Sequence, residues 1–267
     1  MAPRILTLAN QKGGVGKTTT AINLATALAA VGERVLIVDL DSQGNASTGL
    51  GIGRSQREIS SYDLMVGEAS VSAAAIKTEV PNVALVPSTL DLAGVELLIS
   101  QHADRAYKLR DALRGVGELL IGGRPVTYVL IDCPPSLNLL TINALVAADA
   151  VLVPLQCEFF ALEGLSQLLQ TIEQVRSALN PRLSIQGVVM TMFDQRNNLS
   201  QQVLQDVRSE MGDLVYDTVI PRNVRLSEAP SYGKPALLYD LKCAGSQAYL
   251  RLATEVIRRE RRLNNAA

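Results

Sequence analysis

A glycine-rich segment between a short apolar run and a long helical stretch constrains this chain more than any other feature. Residues 11–19 read Gln-Lys-Gly-Gly-Val-Gly-Lys-Thr-Thr, after the apolar run 5–9 and before a helix predicted over 17–31. Glycines let a backbone turn tightly and bring its N–H groups close to an anion, and the positive end of the following helix points at the same place. The segment therefore predicts a phosphate site.

Individual residues of this loop have the chemistry that phosphates and Mg²⁺ require. Gly13, Gly14 and Gly16 supply the tight turn, Lys17 can reach terminal phosphates, and the Thr18 hydroxyl can bind Mg²⁺. The common P-loop pattern is G-x-x-x-x-G-K-[ST], and here glutamine occupies its first position and is followed by a second lysine. A glycine-rich turn that only joins a strand to a helix is the less favoured alternative.

Apolar runs alternate with helical stretches along the chain. Strands are predicted at 5–9, 34–39, 83–87, 128–132, 150–154, 185–192 and 215–220, and helices at 17–31, 90–115, 138–148, 162–179, 199–211 and 241–262. Several strand runs are apolar almost throughout, which is typical of strands buried on both faces. The order predicts an α/β fold with a mostly parallel, doubly wound sheet, helices on both faces and a single domain over 1–267.

Carboxylates follow two of the predicted strands, at the edge where parallel sheets bind their ligands. Asp41 is better placed than Asp39 to orient a water or to contact the shell of Mg²⁺, and Asp39 is expected to hold the loop or the outer metal shell. Asp132 ends an apolar run, as a Walker B carboxylate does, and such a carboxylate binds Mg²⁺. The alternative for each aspartate is a turn former or a helix cap.

Composition argues against several other classes of protein. The net charge of −1 is not that of a general nucleic-acid binder, although 196–267 carries a mild excess of Lys and Arg, which ordinary surface variation also explains. Three well-separated cysteines argue against a disulfide framework or a metal cluster, and a single histidine, His102, gives little support to a Ser-His-Asp mechanism. No signal segment or membrane-length apolar run is evident, so we expect a cytoplasmic protein.

Several motifs resemble those of the ParA/Soj chromosome-partitioning ATPases, in the ParA/MinD group of P-loop ATPases with a deviant Walker A loop. The motifs are 9–19 with its additional lysine, 39–45, 132–137, 158–164 and 220–231, so that the likeness covers nearly the whole chain. Ser42 stands where this family usually has proline, a change that removes no ligand. The resemblance implies a P-loop NTPase fold and an ATPase that requires Mg²⁺.

The resemblance also implies roles for individual residues. Lys12 matches a signature lysine that reaches the partner's nucleotide in an ATP-sandwich homodimer, where two facing triphosphates need additional cations. Asp41 matches the residue linked to hydrolysis. The implied sites are the nucleotide loop (Lys12, Gly13, Gly14, Val15, Gly16, Lys17, Thr18, Thr19), the Mg²⁺ ligands (Thr18, Asp132), the adenine contacts (Pro221, Asn223) and the DNA contacts (Arg196, Arg225). Four more basic residues would extend the DNA patch: Arg222, Lys234, Lys242 and Arg251. A turn after a strand and solvated charges are the alternatives for the last two sets.

Partners and rival functions follow from the same resemblance. It implies that ATP closes a homodimer, that the dimer binds double-stranded DNA without sequence preference on the nucleoid, and that a ParB-type partner triggers hydrolysis. A MinD-like membrane-cycling ATPase is the alternative, and it would need an amphipathic tail, whereas 263–267 is too polar to insert. A nitrogenase-iron-protein type would need paired cysteines, and a small-molecule ligase or kinase a separate acceptor site; the sequence indicates neither.

Overall fold

The computed structural model describes residues 2–266, with side chains described as far as residue 261. The strands are β1 (Arg4–Leu8), β2 (Val35–Asp39), β3 (Ile76–Lys77), β4 (Val83–Val86), β5 (Leu120–Ile121), β6 (Arg124–Pro125), β7 (Tyr128–Asp132), β8 (Ala150–Gln156) and β9 (Ser184–Thr191). Seven of them form one sheet in the order β3-β4-β2-β7-β1-β8-β9. All neighbours pair in parallel except β3, which is antiparallel to β4. The remaining pair, β5 and β6, forms a small hairpin.

The helices lie between the strands and at the C-terminal end. They are α1 (Lys17–Ala30), α2 (Asn45–Gly49), α3 (Ser61–Val66), α4 (Val71–Ala74), α5 (Val95–Ile99), α6 (Lys108–Ala112), α7 (Leu139–Ala147), α8 (Ala161–Ala178), α9 (Asn198–Met211), α10 (Val224–Glu228), α11 (Ala236–Tyr239) and α12 (Ala244–Ala266). Short 3-10 turns occur at Arg54–Gln56, Leu90–Gly94, Val116–Glu118, Gly212–Leu214 and Ala229–Tyr232. Among residues 2–266, none of these helices has the length and apolar character needed to cross a bilayer.

Hydrophobic side chains fill both faces of the sheet. Successive residues of a strand point to opposite faces, so Ile37 packs in the cluster with α1 and α12, whereas Leu36 and Val38 pack in the cluster with α3 and α7. Val151 and Val153 of β8 pack in a third cluster, with α8 and α9. The predicted α/β class, with a mostly parallel sheet and helices on both faces, is confirmed.

One predicted strand is wrong. Residues 215–220 form no ladder strand; isolated bridges join Val215 to Val188 and, one residue beyond the segment, Pro221 to Phe193. The reason is that Glu255 of α12 accepts the backbone N–H groups of Asp217 and Thr218, at 2.9 and 3.0 Å. Donors in the middle of the segment are therefore bound to a helix side chain instead of to β9.

The helix predicted over 90–115 is also wrong as a single element. The structure has a 3-10 turn followed by α5 and α6, with turns between the two helices. Asn143 of α7 bridges this interruption, because its amide donates to Arg105 O at 2.8 Å and its oxygen accepts from Leu109 N at 3.2 Å. Tertiary hydrogen bonds therefore replace those that a continuous helix would have made.

Candidate functional site

The glycine-rich loop connects β1 to α1 at the carboxyl edge of the sheet. Gly14 and Gly16 have φ values of 76° and 89°, in the left-handed region, and Gly16 caps the N-terminus of α1. Only glycine adopts this backbone conformation without strain. The two glycines therefore let the loop turn tightly into the N-terminus of α1, whose positive end favours an anion.

Two side chains outside the loop hold its shape. Asn10 donates to Pro154 O at 2.9 Å and accepts from Lys12 N at 3.0 Å, and Thr191 donates to Val15 O at 2.8 Å. These bonds tie the loop to β8 and β9, the two strands on one side of β1. Asn10 belongs to a motif that the sequence analysis noted without giving it a role, and no local pattern distinguished Thr191.

The two lysines of the loop have different surroundings. Lys17 is buried, and its Nζ donates to Lys12 O at 2.9 Å. Burial lowers the pKa of Lys17, although the negative charges of nearby acidic groups, Asp132 first, act in the opposite direction. Lys12 is half-exposed, and its Nζ lies 2.5 Å from Glu158 Oε1.

The carboxylates at the strand ends meet beside the loop. Asp39 and Asp132 are register partners on β2 and β7. Asp39 is fully buried and accepts from Ser47 N at 2.9 Å and Ser47 Oγ at 2.7 Å. Burial raises the pKa of Asp39 to about 6, against the lowering effect of the Ser47 hydrogen bonds. Asp39 thus supports the start of α2, whereas the sequence analysis expected it to hold the loop or the outer metal shell.

Asp41 lies two residues beyond β2 and lines the cleft over the loop. Its Oδ1 accepts from Gln43 N at 3.0 Å. Asp41 therefore stabilises a turn, which was the alternative role that the sequence analysis gave it. It also faces the cleft, where a water or a metal shell would lie.

Asp132 has the environment of a metal ligand. It is fully buried, and among residues 2–261 neither carboxylate oxygen has a hydrogen-bond partner. Burial raises the pKa of Asp132 well above its usual range, Asp39 adds to this, and Thr18 and Lys17 oppose it. Mg²⁺ is usually bound by one or two protein ligands together with phosphates. An unpartnered buried carboxylate near a threonine hydroxyl fits that pattern, and no cluster of three or more acidic, His or Cys side chains that could hold a metal alone occurs in the described chain.

Two adjoining cavities lie beside the loop. The larger, about 780 Å³, is lined by Lys17, Thr18, Asp41 and the segment after β7. The smaller, about 470 Å³, shares Gly16 and Thr19 with the first and is lined by Pro221 and Asn223. The fold therefore brings these two residues next to the loop, although more than two hundred positions of chain separate them.

The two main candidate DNA contacts, Arg196 and Arg225, are both paired with carboxylates. Arg196 pairs with Asp194 at 3.1 Å and lines a groove of about 680 Å³ together with Arg222 and Arg251. On the neighbouring α10, Arg225 pairs with Glu228 at 2.8 Å and lies 3.6 Å from Asp240. Lys234 lines the cleft over the glycine-rich loop, so it does not extend this basic groove as the sequence analysis expected.

Comparison with known proteins gives the family. An AAA-domain family model matches residues 3–185. The chain is 69% identical over 258 residues to the chromosome partitioning protein ParA of Caulobacter vibrioides, covering 97% of this chain and 95% of that one. It is 51% identical over 253 residues to the sporulation initiation inhibitor protein Soj of Bacillus subtilis, covering 95% and 98%. The chain belongs to the ParA/Soj family. The members of this family are chromosome-partitioning ATPases of the wider ParA/MinD group, and this is the family that the motifs predicted.

Solved structures of similar proteins agree with the fold. The cobyrinic acid a,c-diamide synthase of Mycobacterium smegmatis, with bound ATP analogue and magnesium, is 37% identical with a TM-score of 0.83, over 97% of this chain and 96% of that chain. The cell division ATPase MinD of Pyrococcus furiosus is 27% identical with a TM-score of 0.78, over 96% and 99%. The ParA/Soj chain described here has the same α/β architecture.

Proposed function

We propose that this ParA/Soj chain binds Mg-ATP, closes into a homodimer around two nucleotides, and then binds double-stranded DNA of any sequence. The protein would act in the cytoplasm, in association with the nucleoid. A ParB-type protein triggers hydrolysis and release from DNA. The observation that carries the proposal is the arrangement of two lysines in one loop, of which only one faces the cleft of its own subunit.

The nucleotide site follows from the cleft. Lys17 and the loop from Gly13 to Thr19 would hold the phosphates, and Thr18 and Asp132 would hold Mg²⁺, which offsets charge on the transferred phosphoryl group. Pro221 and Asn223, in the adjoining cavity, would contact the adenine. The Asn223 oxygen already accepts from Arg225 N at 3.0 Å, so the turn that caps α10 and the proposed base contact are compatible roles.

The position of Lys12 supports the proposed homodimer. Among residues 2–261, those lining the cleft include Lys17 but not Lys12, whose side chain lies on the outside of the loop against Glu158. A cation at that place cannot serve its own subunit's nucleotide without leaving Glu158, but it can approach a nucleotide presented by a second copy. Two triphosphates face to face carry a large negative charge, which an additional lysine from each subunit offsets.

Asp41 is proposed to act on the attacking water. Its carboxylate lies at the cleft and is anchored by one backbone N–H, from Gln43, which leaves acceptor capacity for a water. Hydrolysis then needs no covalent intermediate: Lys12, Lys17 and Mg²⁺ offset phosphate charge while Asp41 orients the water.

The DNA surface is proposed from Arg196 and Arg225, with Arg222 and Arg251 in the adjoining groove. Contacts of arginine with phosphates carry no sequence information, so we expect binding without base preference. The MinD-like alternative depends on a membrane-binding tail. We predicted that 263–267 is too polar to serve as such a tail. Residue 267 lies outside the described part of the chain, and the side chains of 263–266 are not described.

Two variants test the proposal against its alternatives. Lys17→Ala should lose most of its affinity for an ATP analogue, because the phosphates lose their buried cation. Asp41→Ala should bind ATP and remain a dimer by light scattering but release little phosphate. The DNA test is co-sedimentation of the Asp41→Ala dimer with two unrelated duplexes, in ATP, ADP or no nucleotide, and with anionic lipid vesicles in parallel.

The outcomes separate the functions. ATP-dependent binding to both duplexes but not to vesicles supports partitioning, and binding to vesicles alone supports the MinD-like reading. A monomer in saturating ATP, or unchanged phosphate release by Asp41→Ala, would contradict the dimer or the role of Asp41 respectively.

A further inference from the structure

A buried arginine lies behind the segment that carries Asp41. Arg57 follows the 3-10 turn Arg54–Gln56, and only 8% of its surface is exposed. Its Nε and Nη2 donate to Ile52 O at 3.1 and 2.8 Å, its Nη1 to Ser88 O at 3.2 Å, and its Nη2 also to Thr48 Oγ1 at 2.8 Å. Every hydrogen bond that the described chain gives this cation therefore goes to a neutral acceptor, an expensive arrangement for a buried charge.

The guanidinium also contacts the turn that begins at Asp41. Gly44 N donates to Asp41 O at 2.8 Å and closes this turn, and Gly44 has a left-handed φ of 62°. A Cβ at Gly44 would collide with Nη1 of Arg57 and would lie 3.1 Å from Ser88 O. The missing side chain at Gly44 is thus what lets Arg57 reach Ser88 across the back of the turn.

A chain of hydrogen bonds ties both ends of segment 41–48 to the sheet. At its start, Asp41 N donates to Asp39 at 3.3 Å. Toward its end, Ser47 Oγ donates to Asp39 at 2.7 Å and accepts from Ser88 N at 3.0 Å. Ser88, just beyond β4, is therefore connected to the segment in two ways. Its N–H donates to Ser47, and its carbonyl oxygen accepts from Arg57, which also donates to Thr48.

We propose that Arg57 is a positioning residue for ATP hydrolysis, which clamps segment 41–48 against the end of β4 so that Asp41 faces the cleft. Arg57 is not one of the residues that line the cleft among those described, so it acts through Asp41 and not on the nucleotide. The inference rests on the proposed ATPase function. A displacement of about 1 Å at a reacting group can cost up to about a hundredfold in rate, and we expect release of the turn to let Asp41 move away from the position that this clamp gives it.

The test compares Arg57→Gln, Arg57→Lys and Ser60→Ala with the wild-type chain. Ser60 is a matched control because it is buried close by and caps α3, where it accepts from Tyr62 N at 3.2 Å, and the described chain gives it no hydrogen bond to segment 41–48. We expect Arg57→Gln to lower kcat about tenfold with KM for ATP changed less than about threefold. Arg57→Lys should recover part of kcat, since an ammonium can still donate to a carbonyl, and Ser60→Ala should keep the wild-type kcat.

Two further readouts distinguish positioning from a loss of folded protein. Hydrogen exchange of the amides in 43–48 should speed up in Arg57→Gln but not in Ser60→Ala. In an Asp41→Ala background, Arg57→Gln should lower hydrolysis no further, because both changes remove the same contribution. Should Arg57→Gln not fold, Arg57→Lys carries the same test and should show a smaller kcat defect together with faster exchange of the amides in 43–48.

The inference is overturned if kcat per folded molecule is unchanged in Arg57→Gln, if KM rises while kcat stays constant, or if the double variant shows a further tenfold loss. In each of these cases the wild-type and Ser60→Ala proteins still hydrolyse ATP, and the proposed function stands. A wild-type chain that binds ATP without hydrolysing it overturns both.

Discussion

Replacing Asp132 by asparagine should stabilise the metal-free protein and weaken its response to Mg-ATP. Asp132 is fully buried, and neither carboxylate oxygen is hydrogen-bonded within the described chain. Its neighbours include two more carboxylates, Asp39 and Asp41, and one cation, Lys17. A buried charged group without hydrogen bonds costs more than about 1–3 kcal/mol, and a neutral amide of the same shape costs less.

We therefore expect Asp132→Asn to raise the free energy of unfolding by about 1 kcal/mol in EDTA, or about 2–4 °C in Tm for a chain of this size. The gain depends on pH in a defined direction. Because burial raises the pKa of Asp132, the wild-type protein loses stability as pH rises from the ordinary carboxyl range through that raised pKa. The advantage of the variant should accordingly grow from pH 5 to pH 8.

Mg-ATP should reverse the order of the two proteins. A ligand that binds only the folded state stabilises it by about 2.7 kcal/mol at a concentration a hundred times its Kd. The wild-type protein should gain this stabilisation. In Asp132→Asn, most of the stabilisation that depends on Mg²⁺ should be lost. The assay is thermal unfolding in EDTA, in Mg²⁺, and in Mg²⁺ with a non-hydrolysable ATP analogue.

Glu255→Gln is the control, since Glu255 is a buried carboxylate that is fully satisfied. Burial alone would raise the pKa of Glu255, but the N–H groups of Asp217 and Thr218 and the charge of Arg259 outweigh it, and the pKa is lowered. Its contribution is present above the ordinary carboxyl pKa and is lost as pH falls through the lowered value. Glu255→Gln should cost about 1–3 kcal/mol at pH 8 and less in acid. An Asp132→Asn protein that is less stable than wild type in EDTA at pH 8 would refute the reasoning.

Three further predictions concern the dimer and DNA. Gly13→Val should keep ATP binding, because a Cβ at Gly13 meets only Pro135, at an ordinary 3.7 Å, inside its own subunit. It should weaken ATP-dependent dimerisation at least about tenfold by light scattering, because the nucleotide of a second subunit would approach this loop closely. Arg225→Glu should reduce the slope of DNA affinity against salt by about 1 per subunit and leave ATP affinity unchanged; an unchanged slope places the surface elsewhere. Glu228→Gln should strengthen DNA binding about twofold to tenfold at low salt, because it releases Arg225 from its 2.8 Å ion pair; weaker binding would show that the pair orients Arg225 for phosphate.

Local patterns in the sequence were sufficient to predict the sheet and the glycine-rich loop, whereas contacts between distant residues were not predictable from the sequence. The glycine-rich loop and the apolar runs are read from consecutive residues, and the α/β class followed from them. The failed strand at 215–220 depends on Glu255, which lies 38 residues beyond Asp217. The support that Ser47 gives Asp39 is likewise invisible in a pattern that shows only an aspartate at the end of a strand.

The site residues show the same division. Gly14 and Gly16 were predictable because a left-handed turn selects glycine. Thr191, which bonds to Val15 O across 176 positions of chain, follows from the pairing of β8 with β9 and from no motif. The motif shows that two lysines occur in one loop, and only the fold shows that Lys17 is buried while Lys12 lies outside against Glu158.

The ion pairs of Arg225 change how the proposed DNA surface should be understood. Glu228 and Asp240 already offset the charge of this guanidinium within one subunit. A DNA phosphate must displace them, so each subunit gains less from the contact than a free arginine would. Weak contacts of this kind become effective when two are joined, because the second binds at a high effective concentration. The same acidic neighbours that suppress binding by a monomer would therefore make DNA binding depend on the dimer, and through Lys12 on ATP.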